Sequence, residues 1–345
     1  MNTFLDQGLA IISGTPSATL DEGDAVDEVL SDASETRQGE VAVAQHGDRL
    51  DRALTHLAPE FSRNYLQQLI DAGWVQINGQ VVRKHAHKVR AADVLTLELH
   101  PTPQSQAFKP QAMDLVVMYQ DPHILVIDKP AGMVVHPAPG NWSGTLLNGL
   151  LALDEKMVAM PRAGIVHRLD KDTSGLMVVA RTRQAMDALV AAIAVRSVSR
   201  QYLAVGHRTW SGKPSVCVDA PMGRDPRNRL RMAVVDLLKT PGKTAKTDIH
   251  FVANTVDGCL VRCVLHTGRT HQIRVHMASI GHPLVADKVY GGTDRYGMVR
   301  QALHAFRLAF DHPVTGAALA FESPVPADFE HLLKTWGLSY NSSTR

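Results

Sequence analysis

The stretch from Gly164 to Ala180 constrains the fold more than any other part of the chain. It opens with a polar cluster of His167, Arg168, Asp170, Lys171 and Asp172, passes through Thr173-Ser174-Gly175, and ends in Leu176-Met177-Val178-Val179-Ala180. The last five residues are apolar and partly β-branched. A run that short, preceded by a turn, reads as a buried strand. A loop dense in charge and anchored by a buried strand must pair its charges or use them, because a buried charge without a partner is costly. A salt-bridged turn satisfies the residues, and so does a reactive loop.

Length and charge set the outer limits. At 345 residues there is room for two domains and a sizeable core. Formal net charge is only +2, but it is unevenly distributed. Residues 1–45 hold nine acids (Asp6, Asp21, Glu22, Asp24, Asp27, Glu28, Asp32, Glu35 and Glu40) and one base, Arg37. The remaining chain carries 35 basic and 25 acidic residues, a body of +10. A basic body behind an acidic leader suits a polyanion-binding protein. Cys217, Cys259 and Cys263 offer no disulfide framework and no metal-site spacing, and the last two read as core. No apolar run reaches transmembrane length, and the N-terminus does not resemble a signal peptide. A cytoplasmic protein without a membrane partner is expected.

Residues 1–44 are rich in Asp, Glu, Ser, Ala and Gly, and are expected to form a flexible acidic leader. Residues 45–103 have the marks of a compact unit. Arg49 to Leu54 and Ser62 to Ile70 have helical spacing, with Ser62 placed to cap the second helix. Val75-Gln76-Ile77-Asn78-Gly79 gives a strand and a tight Asn-Gly turn. Residues 104–112, with Pro110 and polar neighbours, read as a linker. A larger domain is expected over 113–337, with a tail at 338–345. Within it Leu115 to Tyr119, Ile124 to Asp128, Arg200 to Gly206 and Leu260 to Leu265 read as strands, and Asn141 to Leu153 and Gln184 to Val198 as helices. Residues 211–247 are turn-rich and basic, and read as a hairpin insertion facing a polyanion. Gly268 opens a turn, and Thr270 can cap the helix after it. His266, His271 and His276 have no acid or thiol ligand between them, so no metal site is expected.

Three segments carry a family resemblance. His167-Arg168-Leu169-Asp170, continued by Thr173-Ser174-Gly175, resembles the active-site motif of the RluA-type pseudouridine synthases. Asp128-Lys129-Pro130 through Val135-His136-Pro137 resembles the family's first motif. Thr267-Gly268-Arg269-Thr270-His271-Gln272-Ile273-Arg274-Val275-His276-Met277 resembles a third, and Gly281 to Gly292 also follows the family. Residues 45–103, with the pattern Gly73-x-Val75-x-Ile77-Asn78-Gly79, resemble an S4 RNA-binding domain. The resemblance implies an α+β architecture: a small S4 domain, then a mixed, mostly antiparallel sheet flanked by helices. It implies isomerisation of uridine to pseudouridine in RNA, without cofactor or metal. The members most similar act on large-subunit ribosomal RNA, so that RNA, free or in an assembling subunit, is the expected partner. A monomer is expected.

The resemblance also implies roles. Asp170 is the catalytic carboxylate, acting on the sugar C1′, on the base or at C2′. Arg274 pairs with it, keeps it ionised and could hold it bidentately. Tyr202 stacks on the flipped uracil, and Ile273 lines the base pocket. Arg168 fills the vacated place in the RNA stack, and flipping costs about a few kcal/mol. His167, Lys129 and His136 would face RNA. Arg49, Arg52, Ser62, Arg63, Gln67 and Lys84 are the candidate RNA contacts of the S4 domain. Two other readings remain open: a non-catalytic RNA-binding or assembly factor on the same scaffold, and a hydrolase using Asp170 and Asp172 as a carboxylate pair.

Overall fold

The computed structural model describes residues 35–99, 107–138 and 140–340. Most of the acidic leader, residues 1–34, lies outside the described residues. The chain divides into two compact units, Met1–His100 and Pro101–Arg345.

The first unit contains β1 (Glu35–Glu40), α1 (Leu50–Leu57), α2 (Arg63–Ala72), β2 (Val75–Ile77), β3 (Gln80–Val81) and β4 (Val94–Leu99). Its sheet has the order β1-β4-β2-β3. Leu50, Leu54, Leu66 and Ile70 from the helices close on Val75, Leu95 and Leu97. Ser62 caps α2 by accepting the Tyr65 N–H at 3.3 Å. Asn78 and Gly79 both adopt positive φ, 51° and 79°, as a tight hairpin turn between β2 and β3 requires. The expected leader ends sooner than residue 44, because Glu35–Glu40 pairs antiparallel with the whole of β4. β1 is a polar edge strand without an alternating apolar face. Its order comes from the ladder to β4 and from Val41, which is buried beside it.

In the first turn of α1, Asp51 is fully buried. It accepts hydrogen bonds from Arg49, from both Arg63 Nε and Nη2, and from Gln67 Nε2 at 2.6 Å. Burial alone would raise its pKa, but these donors prevail and hold the carboxyl well below the ordinary aspartate range. A depressed folded-state pKa contributes stability that is complete above the unfolded aspartate value, near pH 4, and is lost as pH falls below it. Asp51→Ala is therefore expected to destabilise this unit by about 1–3 kcal/mol at neutral pH. The loss should shrink below about pH 4, where the wild type is itself weakened. Hydrogen exchange of residues 50–99 in the whole protein reads both effects.

The second unit is built on a nine-stranded sheet. Its elements are β5 (Val116–Gln120), β6 (Ile124–Lys129), α3 (Leu146–Leu153), β7 (Ser174–Ala180), α4 (Arg183–Ala194), β8 (Ser199–His207), β9 (Ser215–Asp219), β10 (Met222–Asp225), β11 (Asn228–Val234), β12 (Gly242–Lys243), β13 (Lys246–Asn254), β14 (Gly258–Leu265), α5 (Gln272–Ser279), β15 (Leu303–Asp311), β16 (Ala318–Glu322) and α6 (Ala327–Thr335). The order is β5-β6-β7-β15-β8-β14-β13-β9, with β16 paired to β15. β7 and β15 run parallel and the other pairs of this sheet are antiparallel, so the architecture is α+β with a mixed, mostly antiparallel sheet. β10, β11 and β12 form a separate three-stranded sheet inside the basic insertion.

Helices flank the large sheet. α3 packs Leu146, Leu147 and Leu150 on one core, α4 packs Ala185 and Leu189 on a second, and α6 packs Phe329, Leu332 and Leu333 on a third. Every residue of β7 is buried, as its apolar run requires at the sheet's centre. Gly175 sits where β7 meets β15, at φ 117°, and an added Cβ would fall 2.2 Å from the Ala305 carbonyl oxygen. Gly175→Ala combines positive-φ backbone strain with a backbone clash. It is expected to destabilise the protein by about 3 kcal/mol, read as a lowered thermal midpoint.

Three boundaries differ from expectation. Residues 107–111 do not behave as a free linker: Asn148 Nδ2 donates to the Lys109 carbonyl at 2.8 Å, and Gln111 Oε1 accepts from Gly144 N–H at 2.8 Å. The last domain extends beyond 337, since Leu338 is buried and Tyr340 packs on the same cluster. The helix expected from Asn141 begins only at Leu146, where Thr145 and Asn148 form a reciprocal cap.

Candidate active site

The loop before β7 is held mainly by its backbone. Thr173 N–H donates to the Asp170 carbonyl at 3.1 Å and closes a turn. Arg300 Nη1 donates to the Asp172 carbonyl at 2.9 Å, while its other nitrogens grip Asp328. Lys129 Nζ donates to the Lys171 carbonyl at 3.0 Å, and to those of Pro130 and Met133 at 2.7 and 2.9 Å. Lys129 is 1% exposed, so it does not face outward towards RNA. Burial pushes its ammonium down to about 7, against the pull of Asp172. His167, by contrast, is half-buried and lines the cleft, while its Nε2 accepts the Val178 N–H at 3.1 Å and ties the loop to β7. Burial, with the charge of Arg200, lowers the imidazole to about 3, so it is neutral.

These clamps present the Asp170 side chain to Arg274 on α5. Arg274 Nη1 donates to Asp170 Oδ2 at 3.2 Å. The bidentate grip expected of this arginine goes elsewhere: Nε and Nη2 fork onto Asp287 at 2.7 and 2.9 Å. The Tyr290 ring lies 5.1 Å from the guanidinium carbon. Burial opposes the charge, but Asp287 and Asp170 outweigh it and hold the guanidinium above its ordinary pKa. Asp287 is therefore the buried anchor that fixes the cation in front of Asp170. Its signal was present in the segment Ala286 to Gly292, but nothing local marks an aspartate as the partner of an arginine 13 positions earlier.

His271 also faces Asp170, with Nε2 4.0 Å from Oδ1. Its other nitrogen, Nδ1, meets the Tyr290 hydroxyl at 2.8 Å, and that hydroxyl accepts the Met232 N–H at 3.1 Å. His271, not Thr270, is the residue at the start of α5, and it adopts a left-handed conformation with φ 60°. Such strain in a residue with a Cβ persists where the surroundings over-determine it.

Asp170 opens into a cleft of about 730 Å³. Tyr202 and Ile273 are buried in its wall, His136 lines it, and Arg168 lies exposed at its edge. Burial raises the Tyr202 phenol to about 12, so it is neutral and suited to stacking. Asp170, Arg274, Tyr202, Ile273, His136 and Arg168 thus converge although they are distant in sequence. Asp172 does not line this cleft, so an Asp170–Asp172 carboxylate pair across a substrate is not formed. Among the described residues no group of three or more His, Cys, Asp or Glu side chains could hold a metal ion.

In the first unit, Arg49, Arg63 and Gln67 gather on Asp51, Arg52 pairs with Asp48 at 3.6 Å, and Lys84 is exposed. Ser62 spends its lone pair as a helix cap. Asp51, which orients Arg49, Arg63 and Gln67, was not singled out in the sequence because an acid inside a basic cluster reads as a mere counter-charge. Among the described residues no helix is long and apolar enough to cross a membrane.

A cleft with one arginine-held carboxylate and a buried aromatic wall, on a mixed sheet joined to a small helix-and-hairpin unit, defines a class. The chain belongs to the RNA pseudouridylate synthase family, a family of isomerases: that family's profile matches residues 123–279, and the S4 domain profile matches residues 48–95. Its relatives include the ribosomal large subunit pseudouridine synthase D of Neisseria meningitidis serogroup B, 43% identical over 91% of this chain and 85% of that one. The protein of the same name from Pseudomonas aeruginosa is 46% identical over 86% of this chain and 94% of the relative. Among solved structures, human RNA pseudouridylate synthase domain containing 4 shares the fold, with a TM-score of 0.52 at 23% identity, over 65% of this chain and 94% of that one.

Proposed function

We propose that the protein converts specific uridines of large-subunit ribosomal RNA into pseudouridine, with Asp170 as the reacting carboxylate. The observation that carries this reading is Asp170 held by Arg274 at 3.2 Å inside the cleft that Tyr202 walls. The target uridine swings out of its stack into the cleft, and its ring lies against Tyr202 with Ile273 beside it. Arg168, exposed at the edge, enters the vacated place. The N1–C1′ bond breaks, the uracil turns, C5 bonds to C1′, the C5 proton leaves and N1 gains one, so the product is an isomer. Attack by Asp170 on C1′, attack on the base and proton removal at C2′ all use this one carboxylate. The basic face of the first unit, with exposed Arg52, Arg63 and Lys84 beside half-buried Arg49, contributes phosphate contacts, and affinity falls with salt. The protein acts as a cytoplasmic monomer in this reading.

The choice of large-subunit RNA rests on the names of its relatives. Site-resolved pseudouridine mapping tests it, on unmodified large-subunit RNA given to the purified protein both free and in assembling subunits. New pseudouridines in either substrate are expected. Modification only of other RNAs would place the enzyme on a different target, and none in any RNA would favour a binding role.

A further inference from the structure

Arg200 stands two residues before Tyr202 on β8, on the same face of the strand. It is 6% exposed and lines the same cleft. Arg274, the other buried arginine described in this unit, is matched by Asp287 and Asp170, and the half-buried Arg300 and Arg181 are matched by Asp328 and Asp154. Arg200 has no carboxylate partner among the described residues, and its Nε is buried without any acceptor. An unpaired buried guanidinium is costly to a fold. The surroundings nonetheless make room for it, since a Cβ on Gly268 would come within 2.9 Å of Arg200 Nη1.

We propose that Arg200 is an anion subsite of the cleft, taking a phosphate that adjoins the flipped uridine. This deepens the functional reading above and rests on it. A carbonyl of the base would leave the positive charge uncompensated, whereas a phosphate supplies both charge and the paired oxygens a guanidinium fork accepts. The spacing agrees: residues i and i+2 of a strand stand roughly 7 Å apart, so a nucleotide with its base on Tyr202 carries a neighbouring phosphate towards Arg200. The charge has no other evident purpose, because Asp170 is already held by Arg274.

The test is a binding cycle with the full chain and a large-subunit RNA stem-loop that it binds around one candidate uridine. One linkage is made neutral as a methylphosphonate, on the 5′ or the 3′ side of the target uridine. The ribose at that linkage carries 2′-O-methyl, and a matched RNA keeps the ordinary phosphate. Wild type should lose roughly 10- to 100-fold in affinity on one side only, the scale of a charge-assisted hydrogen bond. Arg200→Gln should lose a similar factor on the ordinary RNA and nothing more on the neutral linkage, with a salt slope shallower by about one. Gly268→Ala, which keeps the charge but displaces the guanidinium, should reproduce the loss, so the result does not depend on one variant folding. Additive losses, with the neutral linkage penalising wild type and both variants alike, would overturn the proposal. Pseudouridine formed by wild type on the unaltered RNA is scored separately: its absence would sink the functional reading, while the binding cycle still reports on Arg200.

Discussion

Asp170→Asn is expected to abolish pseudouridine formation while leaving RNA binding nearly intact. The rate should fall by at least about 10⁴-fold, equivalent to roughly 5.4 kcal/mol of barrier. Asparagine has nearly the same shape and can still meet Arg274, so the cleft keeps its form. What it lacks is the negative charge and the nucleophilic, basic carboxylate oxygen with which every route to bond exchange begins. Arg274 keeps its fork on Asp287 in this variant, which protects the fold. Single-turnover assays and equilibrium binding on the same RNA separate the two quantities. A rate loss accompanied by an equal loss of affinity would mean that Asp170 holds RNA and does not react with it.

Arg274→Gln has the second largest expected effect, and it is of a different kind. This guanidinium serves two carboxylates at once, and Asp287 is almost wholly buried. Its removal strands Asp287 without a cation, which costs about 3–5 kcal/mol of stability. It also frees Asp170 from its donor, and a loss of 10²-fold or more in the chemical step is expected. Arg274→Lys keeps the charge but lacks the planar fork that spans both oxygens of Asp287 while reaching Asp170, so it should fall between the two proteins in both respects. Thermal unfolding and single-turnover rates check this, and a variant as stable as wild type would show that Asp287 finds another partner.

The parts of the fold that were legible are those whose signal is local. β7 could be read from five apolar residues after a turn, and the tight turn at Asn78-Gly79 from its residue types. The convergence of Asp170, Tyr202 and Arg274 was legible only through the family resemblance, because nothing in their spacing brings β7, β8 and α5 together. What escaped depends on contacts made at a distance. Lys129 reads as a surface lysine until the carbonyls of Pro130, Met133 and Lys171 are seen to surround it. β1 has no apolar face, so only its ladder to β4 reveals it. Residues 107–111 carry the composition of a linker, yet the Asn148 amide and the Gly144 N–H pin them down. The fork of Arg274 went to Asp287 and not Asp170 because the buried acid needs the charge more.

The most direct test of the account is release of tritium from large-subunit RNA labelled at uridine C5, since C5 surrenders its hydrogen only when it bonds to C1′. The purified protein and its Asp170→Asn variant are compared on free RNA and on assembling subunits, with pseudouridine counted in the same samples. The account expects wild type to release one tritium per pseudouridine formed and the variant to release none above background. Equal release by both proteins would remove Asp170 from the chemistry. No release by wild type from either substrate would contradict the assignment of large-subunit RNA isomerisation to this cleft.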